Sequence, residues 1–240
     1  MDLVGFGAHP DDVELTSGGL FLKMAAKGYK TAVVDLSRGE SGTRGTPETR
    51  AKEAARAAEV MKLHDRINLG LPDGEMEPTR EAKRSVAGII RSLRPSVVVA
   101  PYWKDSHPDH VHASNIVTEG AFIAGLAALD IPGEPWRPKV ILYAMYHQEH
   151  DFVPSLVVDI SSQITAKHEV VKCYGSQLYN PESREQQTNI SRPDFWARIE
   201  ARARMFGDLI GVEFAEGFMV KHPLRIDDPV EHFATWENRF

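Results

Sequence analysis

Two short stretches carry the residue types that metal-assisted hydrolysis needs. Ala8-His9-Pro10-Asp11-Asp12-Val13-Glu14 lies near the start, and His107-Pro108-Asp109-His110 follows about a hundred residues later. A catalytic zinc takes nitrogen ligands supplemented by a carboxylate, uses three protein groups and keeps one position open. Asp11 and Asp12 are neighbours, so their carboxylates cannot address one point in the same way: one can bind metal while the other faces the attacking water. His107 and His110, three apart, can likewise divide into a ligand and a non-ligand. A bound cation lowers the pKa of water from ~15.7 to near ~7 and polarises a carbonyl. A placed carboxylate then accepts a proton, and a protonated group delivers one to a leaving amine. No covalent nucleophile competes for the role. Cys173 has no activating motif, and neither Ser17 nor Ser106 sits in an elbow sequence.

The elements around these stretches explain how they can meet. Leu3 to Ala8, Thr31 to Leu36, Ile67 to Leu69 and Ser96 to Pro101 read as short buried strands. Helices are expected from Gly18-Gly19 to about Ala26, over Arg50 to Lys62, over Arg80 to Leu93 and after Val111. Strand–helix repetition implies an α/β fold, a mostly parallel, Rossmann-like sheet with helices on both faces. Ligands of such sheets bind beyond the carboxyl ends of the strands, where both histidine stretches fall. Further strands are expected over Val140 to Met145, Leu156 to Ile160 and Gly217 to Val220, and helices over Ser162 to Lys172 and Phe195 to Leu209. The Ser37 to Pro47 loop is longer than an ordinary connection, and Ser176 to Asp194 is a second polar, irregular segment. The whole chain reads as one domain, with an irregular tail from about residue 221.

The pairing of AHPDDVE with HPDH resembles the PIG-L/LmbE-type zinc deacetylases, and the likeness extends through SRGESGTRGTPETR, LPDGEM and CYGSQ. Within that family the SRGE-x-GTRGT form is most similar to the bacillithiol-pathway deacetylases, which act on N-acetylglucosaminyl malate. The resemblance implies His9, Asp12 and His110 as metal ligands, with Zn2+ as cofactor and Fe2+ or another divalent metal as the alternative. It implies Asp11 as general base, His107 as general acid or partner of the tetrahedral intermediate, and Asp109 as the group orienting His107. Arg50 matches a position that binds sugar hydroxyls. Arg44 is a candidate substrate contact, and Glu40 beside it receives no role. Some relatives carry Arg or Tyr just before HPDH; here Lys104-Asp105-Ser106 stands there, which leaves the group that helps polarise the carbonyl open. The resemblance also implies a homo-oligomer, with a hexamer as one form.

Plainer readings exist for each residue. HPDD can be a simple turn, Asp109 can cap the helix from Val111, and Arg50 can pair with Glu53 on a solvated face. His147 to Asp151 offers a second His/Asp cluster without a clearly spaced third ligand, and reads as a loop whose His150 or Asp151 is open to substrate. Gly18-Gly19 lacks any phosphate-loop pattern and suits close packing instead. A net charge of −6 with scattered basic residues argues against nucleic acid and against a membrane surface. One cysteine excludes an internal disulfide, and with no signal-type segment the expected location is the cytoplasm. The expected partner is a small N-acetylated amino-sugar, and the expected reaction is removal of its acetyl group. An amidase for a thiol–sugar conjugate, a silent sugar-binding protein and a metal phosphoesterase are the alternatives.

Overall fold

The computed structural model describes residues 1–145 and 153–234. The strands are β1 (Leu3–Gly7), β2 (Thr31–Asp35), β3 (Asp65–Asn68), β4 (Val97–Pro101), β5 (Val140–Ala144), β6 (Leu156–Asp159) and β7 (Ala215–Met219). They form one sheet in the order β3-β2-β1-β4-β5-β7-β6. The first five run parallel, while β7 lies antiparallel between β5 and β6. The expected mostly parallel α/β sheet is therefore the fold found.

Burial on both faces explains why the strands read as continuous apolar runs. Val4, Phe6 and Val34 face a core shared with α3 (Arg80–Leu93) and α4 (Pro108–Ala124), through Val86, Ile90, Ile116 and Val117. Leu3 and Val33 point the other way, onto α1 (Asp12–Ala26), α2 (Pro47–Met61) and α5 (Ile164–Lys172), through Phe21, Ala57 and Val170. The period-2 alternation of side chains along each strand assigns them to these two faces. Helix α6 (Phe195–Asp208) and a six-residue α7 (Pro229–Ala234) complete the described elements.

Four helix starts differ from expectation: α2 begins at Pro47 rather than Arg50, α5 at Ile164 rather than Ser162, and α1 and α4 differ at the site itself. Helix α1 begins at Asp12, not at Gly18. The turn before it is made by Asp11, whose φ of 116° is a left-handed value that Asp tolerates better than most residues. The glycine pair is retained inside the helix because Ile160 packs on it: a Cβ at Gly19 would lie 2.7 Å from Ile160 Cγ2. There the buried Glu216 carboxylate accepts from the backbone N–H groups of Gly19 and Leu20, at 2.8 and 2.7 Å, and Lys167 Nζ donates to it at 2.7 Å. Helix α4 begins at Pro108, not after Val111. His107 is its N-cap, and Pro108 takes a first-turn position that needs no N–H. The tail, expected to be irregular, contains α7, whose residues are all exposed. Among the described residues no helix is long and apolar enough to cross a membrane.

Candidate active site

Strands β1 and β4 are parallel neighbours, in register from Leu3 opposite Val97 to Gly5 opposite Val99. Chain leaving their carboxyl ends enters the two histidine stretches, so the sheet itself brings together residues a hundred positions apart. β2 and β3 add the loops after Asp35 and Asn68 from the same edge. The sheet order reverses direction between β1 and β4, and ligand sites of open α/β sheets form at such a point.

His9, Asp12 and His110 converge there, all three buried, with one ligand atom of each within 4.8 Å of the others. His9 Nδ1 lies 3.6 Å from Asp12 Oδ2, and His110 Nε2 lies 3.4 Å from Asp12 Oδ1. Ligands about 2.0–2.2 Å from a tetrahedral zinc are about 3.3–3.5 Å apart, so these spacings suit one small divalent ion. The far nitrogens of both rings are also engaged. His9 Nε2 is 2.9 Å from Asp73 Oδ1 and 3.4 Å from Asp109 Oδ2, and His110 Nδ1 is 3.2 Å from Asp105 Oδ2. Carboxylates on the outer nitrogens of histidine ligands are the usual support of a metal centre. Burial opposes charge on both imidazoles. Even so, Asp109, Asp12 and Asp73 hold His9 well above the ordinary histidine range, and Asp12 and Asp105 raise His110 to about 9. Carboxylates crowded this way around two imidazoles call for positive charge at their centre, and a divalent cation supplies it. A second triad, His9, His107 and Asp109, shares His9 and is less buried.

Asp11 sits beside the triad without joining it. Burial pushes its carboxyl up to about 7, against the opposing pull of Arg50. Arg50 Nη2 is 3.2 Å from Asp11 Oδ2 and also donates to the carbonyl of Pro10. Arg50 is thus buried in the site, and the solvated pairing with Glu53 is not formed. Glu53 instead accepts from the N–H and hydroxyl of Ser176, each at 2.7 Å. His107 Nδ1 accepts from the N–H of Asp109 at 3.2 Å, which leaves Nε2 to carry the proton of the neutral ring. Burial, helped by His110 and His9, lowers the pKa of His107.

Asp109 is brought to the site, but its carboxylate reaches His9 and accepts from Gly74 N–H at 2.7 Å; only its backbone touches His107. Arg44 is buried too. Its guanidinium binds the carbonyls of Ser176 and Leu178, at 3.0 and 3.4 Å, and pairs with Glu185 at 3.6 Å. That is the geometry of a tie between the 37–47 loop and the 176–194 segment. Glu40 accepts from the N–H groups of Asp73 and Arg38, joining two loops of the site. His112 binds the carbonyl of Met76. His147, His150 and Asp151 lie outside the described residues.

Sequence reasoning passed over Asp73 and Asp105. LPDGEM reads as a turn because Pro, Asp and Gly favour turns, and nothing in that pattern announces a contact with His9. It also missed a buried cluster behind α1: Glu14 with Arg66 and Tyr174, and Arg66 in turn gripping Asp35 at 2.9 and 2.8 Å. Arg66 falls inside β3, which begins at Asp65 rather than at the expected Ile67.

The metal triad, Asp11, Arg50 and His107 open onto a cavity of about 310 Å³, bounded opposite by Gln177 and Thr188 to Ile190. A larger depression of about 640 Å³ along Gln187 to Asp194 holds no metal-ligating triad.

Such a fold and site define an α/β protein whose buried His9–Asp12–His110 cluster could hold a metal ion beside a carboxylate and a histidine. Residues 4–121 match the family model described as "PIG-L: GlcNAc-PI de-N-acetylase", and the chain belongs to that family. It is 28% identical over 228 residues to the diacetylchitobiose deacetylase of Thermococcus kodakarensis, covering 87% of this chain and 79% of that protein. It is 32% identical over 174 residues to a 1D-myo-inositol 2-acetamido-2-deoxy-alpha-D-glucopyranoside deacetylase of Thermobifida fusca, covering 58% of this chain and 59% of that one. This match therefore spans well under two thirds of the relative. Among solved structures, the conserved protein TT1542 of Thermus thermophilus superposes with a TM-score of 0.85 at 36% identity, over 95% of this chain and 98% of that one. GalB, the 4-carboxy-2-hydroxymuconate hydratase of Pseudomonas putida, gives 0.79 at 21% identity over 95% and 99%, a likeness of fold alone.

Proposed function

We propose that this chain is a metal-dependent hydrolase that removes the acetyl group from the amide nitrogen of an N-acetylglucosaminyl compound. One observation carries the reading: the His9–Asp12–His110 triad opens into the same cavity as Asp11 and His107, two groups able to move protons that stand next to it without belonging to it. The family description and the two deacetylase relatives support the same chemistry.

His9, Asp12 and His110 would hold the cation. When bound, the metal polarises the amide carbonyl and makes water nucleophilic at neutral pH; zinc, iron(II) and other divalent ions all suit two imidazoles and a carboxylate. Asp11, kept easy to protonate by its burial, accepts the proton of the attacking water. Arg50 keeps the Asp11 carboxylate turned into the site. His107 donates a hydrogen bond from Nε2 to the oxygen that becomes negative, and the proton that Asp11 took from the water passes to the departing amine, a poor leaving group unless it is protonated.

Within this class the malate conjugate of the bacillithiol pathway is the substrate we favour, on the SRGESGTRGTP loop and on Arg50 at the cavity wall. Arg44 would serve it indirectly, by fixing the far wall, since its guanidinium is engaged by carbonyls. We place the enzyme in the cytoplasm, where buried Cys173 stays a thiol, and as a homo-oligomer, for which the exposed apolar Leu224 and Val230 of the tail offer contact surface. The test is acetate release from a panel of N-acetylglucosaminyl compounds, including the malate conjugate, chitobiose and inositol derivatives, by Zn2+-loaded protein. Release from at least one member, with the free amine formed in equal amount, is expected. No release from any member by metal-loaded protein would contradict the reading.

A further inference from the structure

We propose that Asp73 is a positioning residue: it fixes His9 so that Nδ1, not Nε2, faces the metal. This inference rests on the metal site proposed above and adds to it a residue that neither histidine stretch contains. The two ligand histidines are held in opposite senses. Asp105 Oδ2 lies 3.2 Å from Nδ1 of His110, whose Nε2 points toward Asp12; Asp73 Oδ1 lies 2.9 Å from Nε2 of His9, which also bonds Asp109 Oδ2 at 3.4 Å, and Nδ1 points toward Asp12.

Asp73 is suited to that task because it is itself immobilised. Its Oδ2 accepts from Ser41 N–H at 2.7 Å, so Oδ1 alone is left for His9. Its carbonyl accepts from the Ser41 hydroxyl at 2.8 Å, and its N–H donates to Glu40 at 3.1 Å. The next residue, Gly74, at φ 78°, donates its N–H to Asp109 Oδ2, the other oxygen near His9 Nε2. One turn between β3 and α3 therefore places both carboxylates that meet the outer nitrogen of His9. A histidine tautomer is set by the hydrogen bond its other nitrogen makes. With Nε2–H directed at the Asp73 and Asp109 carboxylates, the lone pair of the neutral ring lies on Nδ1.

The test needs no substrate. Long-range ¹H–¹⁵N spectra of histidine-labelled, Zn2+-loaded protein read which nitrogen of each ring binds metal. Expected is Nδ1 for His9 and Nε2 for His110; coordination of His9 through Nε2 overturns the proposal. Zn2+ affinity, measured by competition with a chromophoric chelator, should fall about 10–100-fold in Asp73→Ala, the usual loss when such a supporting partner is removed. Asp73→Asn should fall between, because an amide can satisfy His9 or Ser41 but not both. Glu40→Gln loosens the turn while leaving His9 its carboxylate, and should keep affinity within about twofold. An unchanged affinity in Asp73→Ala with a raised KM would make Asp73 a substrate contact and overturn the proposal. An equal loss in Glu40→Gln would reduce it to loop stability. If Asp73→Ala does not fold, the spectra of the natural chain decide. Failure of the deacetylase reading leaves these results untouched, and wild-type protein that binds no Zn2+ overturns both.

Discussion

Arg50 Nη2 stands 3.2 Å from Asp11 Oδ2, both side chains buried, and Gly39 at φ 69° lies directly against the guanidinium. The pair joins the first turn of α2 to the turn between β1 and α1. Arg50 therefore acts on the base as well as lining the cavity, a double role that its place at the start of α2 does not reveal.

Asp11 is expected to carry proton transfer without holding the metal. Asp11→Asn should lower kcat by about 10²–10⁴-fold, the usual range for removing a general base. Metal content after dialysis should stay at the wild-type value, because Asp12 and the two histidines remain. Steady-state kinetics together with elemental analysis check both halves.

His110→Ala should show the converse. It removes one of three ligands and leaves Asp12 and Asp105 without their shared imidazole. Zn2+ should be lost on dialysis and activity should fall with it. Full occupancy after exhaustive dialysis would take His110 out of the ligand set.

Gly39→Ala tests the packing of Arg50. A Cβ at that position collides with the guanidinium, and the left-handed backbone disfavours any side chain. Activity should drop at least tenfold while metal binding stays unchanged, since neither Arg50 nor Gly39 reaches the triad. A variant with wild-type kcat/KM would show that Arg50 is free to move.

Glu14→Ala should act on stability first. Glu14 is wholly buried, and its loss leaves Arg66 with the Asp35 carboxylate and the Ala54 carbonyl and deprives Tyr174 of its acceptor. Arg66 keeps the Asp35 carboxylate, so the expected cost is that of the buried Tyr174 hydroxyl left without its acceptor, about 1–3 kcal/mol. Urea denaturation of the metal-free protein, compared with wild type, measures it.

The sheet and the meeting of the two histidine stretches at its edge were legible because both rest on strong local signals. Val4, Val33 and Val98 lie in runs that suit strands buried on two faces; HPDD follows one such run directly, and HPDH follows another a few residues later. Helix starts were less legible. Asp12 and Pro108 open helices because of turn geometry at Asp11 and capping by His107, and neither appears in hydrophobic periodicity. The direction of the Asp109 carboxylate, the ties of Arg44 and the contact of Asp73 with His9 depend on which loops meet across the sheet edge. One chain read in order does not contain that information.

On the function proposed above, a cation held by His9, Asp12 and His110 enables amide hydrolysis in this cavity. Removing metal with a chelator, restoring it with one equivalent of Zn2+ or Fe2+ per chain, and following acetate release from N-acetylglucosaminyl malate and its analogues at each stage tests it most directly. Expected is activity that vanishes on chelation and returns with the first equivalent, while the chain stays folded on its two-faced core. Acetate release unaffected by complete removal of metal would contradict it.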